Sequence, residues 1–236
     1  MTIIPQISLF SWEEDIENLG DLERLQLVLE HIPDESLMRQ LEKARSKGRD
    51  DFPVRCMWNS LLAGIIFQHP TVVSLIRELN RNVQLRYVCG FGHIGKVPQA
   101  HNYSRFLKLL LKHQESIDLM FQELVWQLMQ LLPQFGQRLA MDGKYISSLA
   151  RRKSKNSSPD GRRETDADLG MKKYQGVHKD GTPWEKVVKC FGFKLHLIVD
   201  ATYELPVSYS VTKASAADIT QGHKLIDKLA KDHPEL

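Results

Sequence analysis

The stretch Arg138-Leu139-Ala140-Met141-Asp142-Gly143-Lys144-Tyr145-Ile146 divides the chain. Before it, apolar residues recur at three- and four-residue intervals, the period of a helix. After it, and beyond a basic gap, they alternate, the period of a strand. The stretch is itself the first strand-like run, with one carboxylate, Asp142, at its middle. A helical first part followed by a sheet-forming second part predicts an α+β fold.

Downstream of this strand, residues 150–186 carry no regular period. Arg151, Arg152, Lys153, Lys155, Arg162 and Arg163 stand there among Ser, Asn, Pro and Gly. The segment reads as a long basic surface loop, a type that is usually functional or disordered and that suits a phosphate backbone. Residues 188–212 then give the clearest strand signal. Phe191, Phe193, Leu195, Leu197 and Val199 alternate with Gly192, Lys194, His196, Ile198 and Asp200, so one face is apolar. A polar turn at 200–204 leads into Leu205, Val207, Tyr209 and Val211, which alternate in the same way, and the pair predicts an antiparallel hairpin. Ile219, Leu225, Ile226 and Leu229 follow at helical spacing, with Asp218 at the start of that helix, where a carboxylate complements the helix dipole.

Upstream, Leu22, Leu25 and Leu29 predict a helix that Pro33 ends, and Asp34 is placed to cap a second one carrying Leu37 and Leu41. Lys43 to Arg49 form a basic link. Trp58, Leu61, Leu62, Ile65 and Ile66 then make an amphipathic stripe, which His69-Pro70 breaks. Thr71 can cap the next helix, with Val72, Leu75, Ile76 and Leu79 inward and Arg77 and Arg81 four residues apart on its polar side. Arg86 follows. Two helices with a tight break and outward arginines resemble a helix-turn-helix, although basic helix faces are also common on plain bundles. A single long helix is expected over about 102–131, ended by Pro133 and Gly136. The expected domains are a helical lead-in (1–50), a helical DNA-binding type of domain (51–100), a long connecting helix (101–135) and a sheet domain (136–236).

Composition limits the alternatives. The chain has 236 residues, a net charge of +3 and 42% hydrophobic residues, ordinary for a globular protein with an ample core. Its three cysteines, Cys56, Cys89 and Cys190, are far apart and form no C-x-x-C pair. This argues against a disulfide framework and fits the cytoplasm. No apolar run approaches the roughly 18–20 residues that span a bilayer, so no membrane partner is expected.

At this point the residues resemble a family. Met141-Asp142-Gly143-Lys144 looks like the first-aspartate strand of DDE transposases of bacterial insertion sequences, the IS4/IS5-like groups. Asp166-Ala167-Asp168 with Gly170 and Lys172 resembles the segment after that strand. Phe191-Gly192-Phe193-Lys194-Leu195-His196, then Val199-Asp200-Ala201 with Leu205-Pro206, resembles the family's hairpin. In the first half, Phe52-Pro53-Val54-Arg55, Leu75 to Asn82, Cys89-Gly90-Phe91 and Tyr103-Ser104-Arg105-Phe106 are similar to its N-terminal helical domain.

The resemblance implies an N-terminal all-α domain followed by a ribonuclease-H-like α/β domain. It implies DNA transposition by metal-dependent strand cleavage and transfer, with duplex DNA at the element ends as partner, Mg²⁺ as cofactor, and self-association, as a homodimer. Asp142 is then the catalytic and metal-binding first aspartate. The DNA contacts would be Arg77, Arg81 and Arg86, with Arg151, Arg152 and Lys153 in the basic loop. The family's second aspartate follows the first helix of that domain, and here that helix closes the sequence. Asp200 falls at a hairpin turn, where Asp bonds local backbone, and is not the expected ligand. The second aspartate and the later glutamate find no counterpart, so the expectation is a truncated or naturally interrupted, incomplete ribonuclease-H-like domain. Three readings stand: a transposase, a catalytically inactive DNA-binding fragment that competes with or regulates the intact enzyme, and a helical interaction protein with merely solvated basic faces.

Overall fold

The computed structural model describes residues 20–45, 52–92, 96–150 and 164–234. The chain divides into two compact units, Met1–Leu124 and Val125–Leu236. The first is helical and the second is built on an antiparallel sheet, so the fold is α+β.

In the first unit α1 (Asp21–His31) and α2 (Glu35–Arg45) precede α3 (Val54–Ile66) and α4 (Val72–Arg81). A short α5 (Val83–Val88) and α6 (Ala100–Leu111) follow. Leu25, Leu37, Leu41, Leu75 and Leu79 are buried together, as their spacing predicts. The stripe on α3 is rotated from its expected position. Met57, Trp58, Asn59, Ser60 and Ala63 are buried, whereas Ile65 is 73% exposed. Two buried polar groups explain the turn. Trp58 donates its indole N–H to Asp34 Oδ2 at 2.6 Å. Ser60 Oγ lies 2.8 Å from the Tyr103 hydroxyl. The Asp34 carboxylate, expected at a helix cap, instead holds α3 through Trp58 and through Arg55 Nη1 at 2.5 Å.

Thr71 caps α4 as its sequence predicts: Thr71 Oγ1 accepts from Ser74 N and Ser74 Oγ from Thr71 N, a reciprocal capping box. The chain then restarts as α5, because Asn82 Oδ1 accepts the Leu85 N–H at 2.9 Å and caps a new helix. The single long helix expected over 102–131 is two, α6 and α7 (Gln114–Leu131). At the break Lys112 and His113 donate to the carbonyls three residues back, Leu109 and Leu110, which tightens the turn and stops the α-helical ladder. No Pro or Gly lies between 101 and 132, so the sequence carries no signal for it.

The second unit holds β1 (Leu139–Ser147), β2 (Asp168–Val177), β3 (Pro183–Asp200), β4 (Pro206–Lys213) and α8 (Asp218–Asp232). β3 is the central strand. Its C-terminal half pairs antiparallel with β1 on one edge and β4 on the other, and its N-terminal half pairs with β2. The hairpin β3–β4 forms where expected, with a register shift at Ile198/Val199. The irregular loop expected over 150–186 is corrected in its second half: residues 168–177 and 183–192 form a two-stranded ribbon. Its alternation of Lys, Gln and Gly with exposed apolar residues hides the period, because neither face of the ribbon is a core face. Residues 151–163 lie outside the described residues.

The buried face of β3 is the one that looks polar in sequence. Cys190, Lys194, His196, Ile198 and Asp200 are buried, while Phe193, Leu195, Leu197 and Val199 are half-buried. The reason is α8, which packs on the first set, with Asp218 over Lys194 and His196 and with Gly222 against Met141 of β1.

Candidate active site

Asp142 sits on β1 opposite Leu197, exposed, with its Oδ1 accepting the Gly143 N–H at 2.7 Å. Because side chains alternate along a strand, it shares the sheet face of Phe193, Leu195, Leu197 and Val199, the face away from α8. That face offers a hard carboxylate oxygen, the donor a divalent cation such as Mg²⁺ takes.

The neighbouring carboxylates lie elsewhere. Asp200 is fully buried on the opposite face. Its Oδ1 accepts the Thr202 and Tyr203 N–H groups at 2.8 and 2.7 Å, and its Oδ2 accepts Gly136 N–H at 2.8 Å. Burial pushes this carboxyl up, but the three backbone donors, Tyr203 first, outweigh it and hold it below the usual range. Its oxygens thus tie the β3–β4 turn to the entry of β1, the local backbone bonding expected of an Asp at such a turn.

Asp218 opens α8 and also faces away from Asp142. Its Oδ1 is 3.1 Å from Lys194 Nζ and 3.4 Å from His196 Nδ1. Lys194 Nζ donates to Ala216 O at 3.0 Å and stands over the Tyr145 ring at 5.0 Å. His196 Nε2 lies 2.9 Å from Thr212 Oγ1. Burial lowers the His196 pKa, and the pull of Asp218 toward the charged form is opposed by Lys194, so the environment favours the neutral ring. This cluster binds α8 to β1, β3 and β4. The sequence shows its members as a K-x-H pair and a helix-start Asp, but not that they meet.

Asp168 is a further structural carboxylate. It accepts from Ser215 N at 2.8 Å and from the Ser215 hydroxyl, fixing the start of β2 to the segment before α8. Among the described residues no three His, Cys, Asp or Glu side chains are placed to hold a metal ion.

On the helical unit, Arg77 is exposed and has no ion pair among the described residues. Arg81 is exposed but paired with Glu78 three residues back. Arg86 turns inward, donating from Nη1 to the carbonyls of Leu79 and Asn80 at 2.9 and 2.8 Å, where it caps the end of α4. Arg151, Arg152 and Lys153 lie outside the described residues.

A helical unit with exposed arginines on α4 is thus followed by a sheet whose first strand carries one exposed carboxylate, Asp142. Residues 11–109 match the family described as Transposase domain (DUF772), and residues 150–236 match the Transposase DDE domain. The chain belongs to the DDE transposases. The DDE match begins beyond β1 and does not include Asp142. No curated protein and no solved structure matches the chain. The DDE domain implies a divalent metal cation. No helix of the described residues is long and apolar enough to cross a membrane.

Proposed function

We propose that the chain acts in DNA transposition of the IS4/IS5-like kind. The helical unit would bind duplex DNA at element ends through α4, and the sheet unit would supply, through Asp142, the first carboxylate to a Mg²⁺-dependent strand-cleavage site on a ribonuclease-H-like sheet. The observation that carries this is the position of Asp142: an exposed carboxylate on the edge strand paired to the long central strand, on the face that α8 leaves open. Arg77 is the leading phosphate contact, because Glu78 neutralises Arg81 and Arg86 is engaged by carbonyls.

A second reading, a DNA-binding chain without cleavage of its own, is favoured by one observation. The other carboxylates near β1, Asp200 and Asp218, lie on the opposite face and are bound there. Two measurements separate the readings. Binding of the full chain to duplex DNA should weaken steeply with salt, and Arg77→Ala should reduce the slope of log affinity against log salt by about one contact, ~0.9, with a smaller effect from Arg81→Ala. An unchanged slope in both variants sinks the placement on α4. Mg²⁺-dependent nicking of that DNA, abolished by Asp142→Asn, supports catalysis; no nicking with binding intact supports the second reading.

A further inference from the structure

The ribbon of β2 and β3 runs beyond the part of β3 that β1 and β4 flank, and its two faces differ in charge. The register pairs Lys172 with Val188, Tyr174 with Lys186 and Gly176 with Trp184, so Lys172, Tyr174, Trp184 and Lys186 share one face. Tyr174 is 42% and Trp184 38% exposed. Trp184 lies over Gly176, where a Cβ would come within 2.6 Å of the indole, and Lys172 Nζ is 5.5 Å from the Tyr174 ring centroid. Tyr174 and Trp184 are diagonal neighbours across the ribbon, a spacing of about 7–8 Å.

The ribbon has only two carboxylates between Met171 and Lys189, and neither serves that face. Glu185 is on the other side, 3.5 Å from Lys173 Nζ and accepting from Gln175 Nε2 at 2.9 Å. Asp180 is in the turn, accepting from Thr182 N and Oγ1 at 3.0 and 2.6 Å. That other face carries Glu185 against Lys173 and Lys189, whereas the first presents two aromatic rings and two lysines that have no carboxylate partner among the described residues.

We infer that the Lys172–Tyr174–Trp184–Lys186 face of this ribbon binds a single-stranded segment of DNA, with bases stacked on Tyr174 and Trp184 and phosphates held by the two lysines. Exposed aromatic rings flanked by cations recognise unpaired bases, because stacking needs a free base face that a duplex does not offer. The choice of DNA over RNA rests on the proposed transposase function; the geometry of the platform does not.

The test uses the full chain in EDTA, with a labelled oligo(dT) and the matching dA·dT duplex. The oligonucleotide should quench tryptophan fluorescence, and this quenching should vanish in Trp184→Phe even though Trp12, Trp58 and Trp126 remain. The double variant Tyr174→Ala/Trp184→Ala should lose at least tenfold in affinity for oligo(dT), with duplex binding unchanged. Lys172→Gln/Lys186→Gln should lower the salt slope by roughly 1.4, two single-strand contacts. All three changes are on an exposed ribbon, and unchanged thermal unfolding will show that the fold is kept. Unchanged oligo(dT) affinity in the aromatic double variant overturns the inference, as does equal competition by duplex or tighter binding of oligo(U). Because Asp142 and Arg77 are not involved, absence of Mg²⁺-dependent nicking by the parent chain, or duplex binding unchanged in Arg77→Ala and Arg81→Ala, counts against the proposed function alone when oligo(dT) binding is intact.

Discussion

Gly143 of β1 lies directly beneath the carboxylate of Asp218: a Cβ at position 143 would come within 2.7 Å of Asp218 Oδ1. The glycine that follows Asp142 in the sequence is therefore a packing requirement of α8. With any side chain there, Asp218 must leave Lys194, whose side chain is only 8% exposed. Gly143→Ala is expected to cost about 1–2 kcal/mol, less than a fully buried broken pair because Asp218 is 42% exposed. Urea unfolding of Gly143→Ala, Asp218→Asn and the double variant checks this. The two effects should overlap and not add, since both release the same pair; full additivity would mean the glycine matters for another reason.

Asp200 gives the acid limit. Its folded-state carboxyl is held below the value of an unfolded Asp, so its stabilisation is present above about pH 4 and is lost as pH falls through the folded value. Asp200→Asn places an amide NH₂ either against the Gly136 N–H or against the Thr202 and Tyr203 N–H groups together. The variant should be less stable at neutral pH, and its stability should depend less on pH below 4 than that of the parent. A parallel pH profile for the two proteins would remove Asp200 from this role.

Tyr103 sets an alkaline limit in the helical unit. Burial raises its phenol to about 12, against the opposing bond from Ser60. The neutral form is favoured on folding, so the contribution is whole below pH 10 and fades as pH rises from 10 to 12. The difference between parent and Tyr103→Phe should therefore shift by about 2 kcal/mol over that range. At pH 8 the substitution should cost only about 1 kcal/mol, because Ser60 Oγ keeps its bond to Met57 O at 2.8 Å. Unfolding curves at pH 8 and about pH 12 read both numbers.

Much of this architecture is legible in the sequence because local signals agree there with the tertiary structure. Thr71 caps α4, Leu75 and Leu79 are buried, and the alternation after Phe191 yields β3 and β4. Where the reading of α3 and of the two faces of β3 differs from the fold, neighbours distant in sequence decide the outcome. Asp34, 24 residues before Trp58, turns α3. The ribbon strands 168–177 and 183–188 show no core period because they have no core beside them. At the site, Asp142 and Gly143 stand out in sequence, whereas the cluster of Lys194, His196 and Asp218 exists only once α8 folds back on β3.

The same effect makes the two faces of β3 a sharp test. By composition, Phe193, Leu195, Leu197 and Val199 form the core face, and Ile198 is an apolar intruder among Lys194, His196 and Asp200. In the fold Ile198 is 2% exposed, paired with Met141 and Ser208 under α8, while its neighbour Leu197 is half-buried. Removing a fully enclosed side chain costs the transfer free energy and leaves a cavity; removing a half-exposed one costs part of the first and none of the second. Ile198→Ala should therefore destabilise by about 2–4 kcal/mol, and Leu197→Ala by roughly half of that or less. Denaturant unfolding of the two single variants decides it. A larger loss at Leu197 would mean that the face bearing Asp142 is covered in solution, and that its carboxylate lies in an enclosed space and not on an open sheet.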